Sequence, residues 1–389
     1  MIDIEHLAGR ANEELARLVA FDTTSRDSNL HLIAYVEQLL AGLGVSSKRV
    51  SNADGTKANL LATIGPMEAG GVVLSGHTDV VPVDGQAWSS DPFKLVQRGE
   101  RLFGRGTCDM KGFIALALAT APHFASGQMK RPIHLAFSYD EEIGCLGAPD
   151  LIREIAASVP RPQAVIVGEP TSMEAVSGHK GIASFKVCVC GHEAHSSQTH
   201  LGASANMAAI KLLGSLDALA EKLKRDADPA SPYQPRETTL TVGLLNGGTA
   251  GNILARRCEF VFDLRSAPGV DARALIAPFQ AEVEQMDAAL KARFPDCGAE
   301  LETRAINPGL APEPDGPAEA LARTLAGDNG PARVVPYAAE AGQFQQAGYS
   351  VVICGPGSID QAHQPDEYVD ISQMQRGAAF MARLVESMT

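Results

Sequence analysis

The chain has 389 residues, 45% hydrophobic and 20% charged, which suits a globular protein of two or three domains with a substantial core. Its formal charge of −13 argues against a Lys/Arg-rich nucleic-acid surface and says little about a substrate, because an acidic total mainly reports solubility. The N-terminus carries no basic stretch followed by an apolar run, and the longest apolar segment, 113–121, is too short to cross a bilayer, so neither a secretory signal nor a membrane span is expected. The seven cysteines include no CxxC pair, and Cys188 and Cys190 share one face of a predicted strand. They read as buried small hydrophobes of a reducing compartment, with the cytoplasm as the expected location.

Apolar residues at helical spacing predict helices over 4–21 and 30–43. Short apolar strands follow at 59–64, 71–75, 133–138 and 164–167, with helices at 110–125 and 148–157 between them. Strands alternating with helices predict an α/β fold with a mixed, largely parallel sheet flanked by helices. The pattern changes after Gly178. Segments 181–190, 238–245 and 257–265 alternate with period two, segment 299–306 reads as a further strand, and 203–225 and 271–294 read as long amphipathic helices. These predict an inserted α+β domain over 181–307. Pro308, Pro312 and Pro314 mark the return to the outer domain, 1–180 and 308–389, with a helix at 318–325, a strand at 350–354 and a last helix at 372–387.

Ligands of open α/β sheets gather beyond the carboxyl ends of the strands. Five such places carry metal-ligand side chains. They are Gly76-His77-Thr78-Asp79, Asp140-Glu141-Glu142, Gly168-Glu169-Pro170, the stretch from Gly355 to His363, and the turn ending at Asp109 before a helix. Imidazole and carboxylate suit zinc and similar borderline ions, and two close ions need a carboxylate to share. Asp79 is placed to hold the second ring nitrogen of His77 and so fix its tautomer. Adjacent Glu141 and Glu142 cannot easily both bind metal, so one is expected to ligate while the other acts as general base. Taken singly, Asp109 reads as a helix cap, Glu141 and Glu142 as a solvated turn, and His77 and His363 as ordinary histidines. Five such coincidences at strand ends and helix starts favour one site. His6, His31, His123, His134, His192 and His200 have no such pattern.

Gly76-His77-Thr78-Asp79-Val80-Val81-Pro82 resembles the metal-binding segment of the dinuclear zinc peptidase and deacylase family. The strings from Gly104 to Phe113, Gly168 to Thr171, His179 to Gly181, Glu340 to Gly342 and Gly355 to Glu367 are most similar to its acetylornithine deacetylase branch. The resemblance covers nearly the whole chain. It implies two divalent ions, Zn2+ with Co2+ as the alternative. His77 and Glu169 would hold one ion, Glu142 and His363 the other, and Asp109 would bridge them. Glu141 would be the base and Asp79 the orienter of His77. The inserted domain would be a dimerisation lid. His195, in Gly191-His192-Glu193-Ala194-His195, would stabilise the oxyanion in the partner's site, while Asn252 and Arg265 would take a substrate carboxylate.

The implied reaction is hydrolysis of a small N-acyl amino acid, foremost N2-acetyl-L-ornithine to L-ornithine and acetate, a step of arginine biosynthesis. The cationic ornithine side chain favours an acidic pocket group, for which Glu340 is the choice. Other deacylases of the family remain open, among them a succinyl-diaminopimelate desuccinylase, an aminoacylase and an acetylcitrulline deacetylase. So do a carboxypeptidase and, from another class, a non-catalytic metal-dependent binding module. No nucleic-acid or membrane partner is expected.

Overall fold

The computed structural model describes residues 2–126 and 128–389. The chain divides into two compact units, one of Met1–Gly178, Leu310–Arg333 and Ala339–Thr389, the other of His179–Gly309 and Val334–Ala338.

The first unit is built on a six-stranded sheet, in the order Ser47–Ser51, Ala58–Ile64, Ile133–Ser138, Val72–His77, Ala164–Pro170, Val351–Gly355. Val72–His77 runs parallel to both of its neighbours, and Val351–Gly355 is parallel to Ala164–Pro170. The first two strands pair antiparallel. Every residue of the four parallel strands is buried, as expected where helices cover both faces and the strands are continuous apolar runs. Helix Lys111–Ser126 packs against Ile4–Val19 and Ile371–Met388. It lies so close to the sheet that a Cβ on Gly168 would fall 2.0 Å from Cγ of Phe113. That glycine therefore sets the approach of the helix beside Glu169.

The second unit has a four-stranded antiparallel sheet, in the order Thr239–Gly247, Arg257–Ser266, Gly181–Cys190, Gly298–Asn307. Burial alternates along Gly181–Cys190 and Arg257–Ser266, so one face is core and the other is open. The core face packs on helices Ala205–Arg225 and Ala272–Arg293, which are capped by Ser204 and Asp271. Phe185 stacks on Phe262 there with ring centroids 5.2 Å apart, and Phe279 meets Phe262 edge to face at 5.6 Å.

The sequence reading had no place for Ser47–Ser51, Val96–Arg98, Arg101–Phe103, Tyr368–Asp370 or the helix Ala341–Gln346. All are short, and the strands among them other than Tyr368–Asp370 carry exposed polar residues, so no apolar period marks them. Among the described residues no helix is long and apolar enough to cross a membrane.

Candidate metal centre

His77 ends the central strand Val72–His77, and its ring is 1% exposed. Its Nε2 lies 2.9 Å from Asp109 Oδ1 and 3.7 Å from Glu169 Oε1. His363 Nε2 lies 3.2 Å from Asp109 Oδ2 and 3.0 Å from Glu142 Oε2. Asp109 thus faces two imidazoles through its two oxygens. Atoms of His77, Glu141 and Glu169 lie within 4.8 Å of one another, as do atoms of His77, Asp109 and Glu142. The six residues expected as ligands and base are therefore brought together, with Glu141 as near to His77 and Glu169 as a ligand would be.

The donor set fits divalent cations. Oε1 of Glu142 is buried without a hydrogen-bond partner. Four carboxylates crowd two imidazoles, a net negative charge that burial penalises unless cations compensate it. The strain shows in the acid strengths. Burial, with the charges of neighbouring carboxylates, pushes Glu141 up to about 8 and Glu142 up to about 7. Hydrogen bonds to Asp109 and Glu142 raise His363 to about 10. Burial works against Asp109, yet the hydrogen bonds with His363 and His77 hold it below the usual carboxylate range.

The surroundings of Asp79 differ from the expectation. His77 Nδ1 is 2.9 Å from the Asp79 carbonyl oxygen and 3.7 Å from its carboxylate. The main chain of Asp79 therefore fixes the ring, not its side chain. The carboxylate instead accepts the backbone N–H groups of Glu141 at 3.1 Å and Glu142 at 3.3 Å, and the Ser25 hydroxyl at 2.7 Å. The same loop is tethered by Lys57, whose ammonium pairs with Asp140 at 2.5 Å and donates to the Ser25 carbonyl. Asp140 has φ 55°, in the left-handed region. Cys145 Sγ lies 3.1 Å from Glu141 Oε1.

Glu340 also requires correction. It is 1% exposed, and its two oxygens accept the hydroxyls of Ser75 at 2.6 Å and Ser138 at 2.7 Å. A carboxylate buried and bonded in this way braces two adjacent strands, with Ser138 in register with His77, and is not offered to a substrate ammonium group. Residue type suggested a pocket acid; its burial was not visible in the sequence.

In the second unit, His195 and Asn252 lie side by side. His195 bridges Ile253, and Ser196 N–H donates to the Asn252 carbonyl at 2.9 Å. Both side chains belong to exposed residues, and His195 Nδ1 is 2.8 Å from Ser197 Oγ. Arg265 sits at the far end of its strand, with Nε donating to Asp263 at 2.8 Å. From Arg257 to Arg265 the strand rises about 26 Å, so the unit does not bring Arg265 to His195 and Asn252.

Sequence reasoning assigned nothing to Arg105, Glu367 and Gln86, which surround Asp109 and His363. Arg105 and Glu367 stand in the strings that carry the family resemblance, and that position was the available signal.

The Peptidase family M20/M25/M40 model matches residues 73–387. Acetylornithine deacetylase of Proteus mirabilis (strain HI4320) is 35% identical over 377 residues, 95% of this chain and 92% of that protein. Acetylornithine deacetylase of Myxococcus xanthus is 36% identical over 380 residues, 95% of each. Among solved structures, the M20 family metallo-carboxypeptidase Sso-CP2 from Sulfolobus solfataricus matches with TM-score 0.77 at 17% identity, covering 97% of this chain and 98% of that one. Human carnosine dipeptidase 1 matches with TM-score 0.75 at 17% identity, covering 99% and 98%. The two structures are alike in fold; the match to the family and to its sequence relatives extends over most of the chain, which therefore belongs to Peptidase family M20/M25/M40.

Proposed function

We propose that this hydrolase of the M20 family removes the acetyl group from N2-acetyl-L-ornithine, giving L-ornithine and acetate as a cytoplasmic step of arginine biosynthesis. The observation that carries the chemistry is Asp109, whose two oxygens face His77 and His363 at 2.9 and 3.2 Å. The substrate is carried by relatives named acetylornithine deacetylase at 35–36% identity over 95% of the chain.

His77 and Glu169 would hold one divalent ion, Glu142 and His363 a second, and Asp109 would bridge them; zinc suits the imidazole and carboxylate donors, and cobalt is the alternative. Such a pair, when bound, supplies Lewis acidity that polarises an amide carbonyl and makes water more acidic. Glu141 takes the proton of the attacking water on its carboxylate and returns it to the leaving amine. The Asp79 carboxylate, through the backbone of Glu141, fixes where that exchange occurs. Arg265 and Asn252 would receive the substrate carboxylate, and His195 would donate to the oxygen that gains charge.

We further read the second unit as a dimerisation lid. Its strand Thr239–Gly247 lies at a sheet edge with Leu244 and Leu245 more than half exposed. The helix packed beside it, Ala205–Arg225, exposes Met207 and Ile210 to a similar degree. An exposed apolar edge of this kind favours pairing with a second copy. The distance of about 26 Å along the strand between Arg265 and the His195–Asn252 end agrees with a site completed by the partner.

A panel of N-acyl amino acids, assayed for released amine with zinc or cobalt, tests the substrate. Preference for N2-acetyl-L-ornithine is expected. Preference for a succinylated substrate, for acetylcitrulline, for a neutral acyl amino acid or for a dipeptide would assign one of the other family reactions. No hydrolysis of any member would favour a binding module.

A further inference from the structure

We infer that Arg105, Glu367 and Gln86 form a strut, buried at Arg105 and Glu367, that fixes Asp109 and His363 relative to each other, so that tight retention of the ions depends on residues that never touch them. The inference rests on the two-ion reading above.

Glu367 is 1% exposed. Its Oε1 accepts the backbone N–H groups of Cys108 at 2.9 Å and Asp109 at 3.1 Å. Its Oε2 accepts Arg105 Nη1 at 2.7 Å, and Arg105 is likewise 1% exposed. Arg105 Nη2 donates to Gln86 Oε1 at 2.5 Å, and Gln86 Nε2 donates to the His363 carbonyl at 2.9 Å. A continuous path of hydrogen bonds therefore joins the Asp109 main chain to the His363 main chain. It links chain segments that are more than 250 positions apart.

His363 depends on such a tether more than His77 does. The His363 side chain is 51% exposed, against 1% for His77, so packing does little to hold it. Its φ is 64°, in the left-handed region that a non-glycine residue keeps only when its surroundings hold it there. The Gln86 amide supplies that hold at the His363 carbonyl. Arg105 in turn fixes Gln86, and lies 5.1 Å over the Trp88 ring. Arg is suited to this role because its planar fork reaches Glu367 and Gln86 at once. Burying an ion pair is costly, so its retention here fits a positional role rather than a stabilising one.

The test uses the full chain, stripped of metal and titrated with zinc against a competing chelator, with melting of the metal-free protein measured alongside. Wild type is expected to bind two zinc ions. Gln86→Ala should bind one of them at least 10-fold more weakly, the range for lost outer partners of metal ligands, with metal-free melting unchanged. Arg105→Lys keeps the charge against Glu367 but loses the fork, and should show the same selective weakening. If Arg105→Lys does not fold, Gln86→Ala decides the question. Wild-type affinity at both sites in Gln86→Ala, or a loss that merely tracks lower melting of the metal-free protein, would overturn the strut. Failure of wild type itself to bind two ions would overturn the two-ion reading, and the strut with it.

Discussion

Asp79 holds Glu141 by its main chain: the Asp79 Oδ1 atom accepts the Glu141 N–H at 3.1 Å. The side chain of Asp79 thereby acts on the residue proposed as base, while its carbonyl serves His77. Asp79→Asn keeps one oxygen acceptor and loses the other. Turnover should fall about 10²-fold from misplacement of the Glu141 loop, with metal content and KM little changed. Loss of one bound ion with otherwise normal turnover per metal would instead return Asp79 to a role in orienting His77.

Glu141 and Glu142 should behave as chemically distinct residues despite adjacency. Glu141→Gln keeps size and hydrogen bonding but removes basicity. It is expected to retain metal and substrate binding and to lose 10²–10⁴-fold in turnover, roughly the range for a missing general base. Glu142→Gln should weaken metal binding, because its carboxylate faces His363 at 3.0 Å. Metal analysis beside steady-state kinetics separates the two. The opposite pattern would reverse the roles, since atoms of Glu141 also lie within 4.8 Å of His77 and Glu169.

His195→Ala should abolish most activity while keeping both ions, since the residue belongs to the second unit and the metal ligands belong to the first. Mixed with Glu141→Ala under conditions that exchange subunits, it should regain part of the activity, because each hybrid dimer can contain one intact site. Full activity of a strictly monomeric enzyme would contradict both the dimer and the action of His195 across it.

His134 ties stability to pH at a place remote from catalysis. It is fully buried on the strand Ile133–Ser138, with Nδ1 2.9 Å from Thr63 Oγ1, and burial lowers its pKa to about 4. The unfolded chain binds the proton from about pH 6.5 downward, whereas the folded chain resists it until near pH 4. The contribution to stability is therefore complete above pH 6.5 and lost as pH falls from 6.5 toward 4. By pH 5 the loss is about 2 kcal/mol. His134→Gln keeps a partner for Thr63 and removes the titration, so its unfolding midpoint should fall less between pH 7 and pH 5 than that of wild type. Parallel falls in the two proteins would show that His134 does not titrate this way.

The sequence made the ligands legible because two signals coincided, residue type and position at the end of an apolar strand. His77 and Glu169 lie at the carboxyl ends of buried strands, the Glu141–Glu142 turn follows another, and Asp109 precedes a helix. The two sheets were legible for a related reason. Continuous apolar runs mark strands covered on both faces, while alternation along Gly181–Cys190 marks a sheet with one open face. What could not be read was the burial of charge. Arg105 and Glu367 look like surface residues by type and Glu340 like an open pocket acid, and only tertiary pairing places them at 1% exposure. Asp79 was read as a side chain acting on a ring two residues away, a local idea. Its longer-range bond to the Glu141 loop depends on the neighbouring strand end, which composition and spacing do not specify.

The central claim is that two bridged divalent ions serve an amide-hydrolysing site. Metal analysis of exhaustively dialysed protein, assayed in parallel on N2-acetyl-L-ornithine, tests it most directly. The account predicts that activity follows bound transition metal up to two equivalents per chain, is lost to a chelator and returns with zinc or cobalt. Full turnover by protein that holds no transition metal would contradict it.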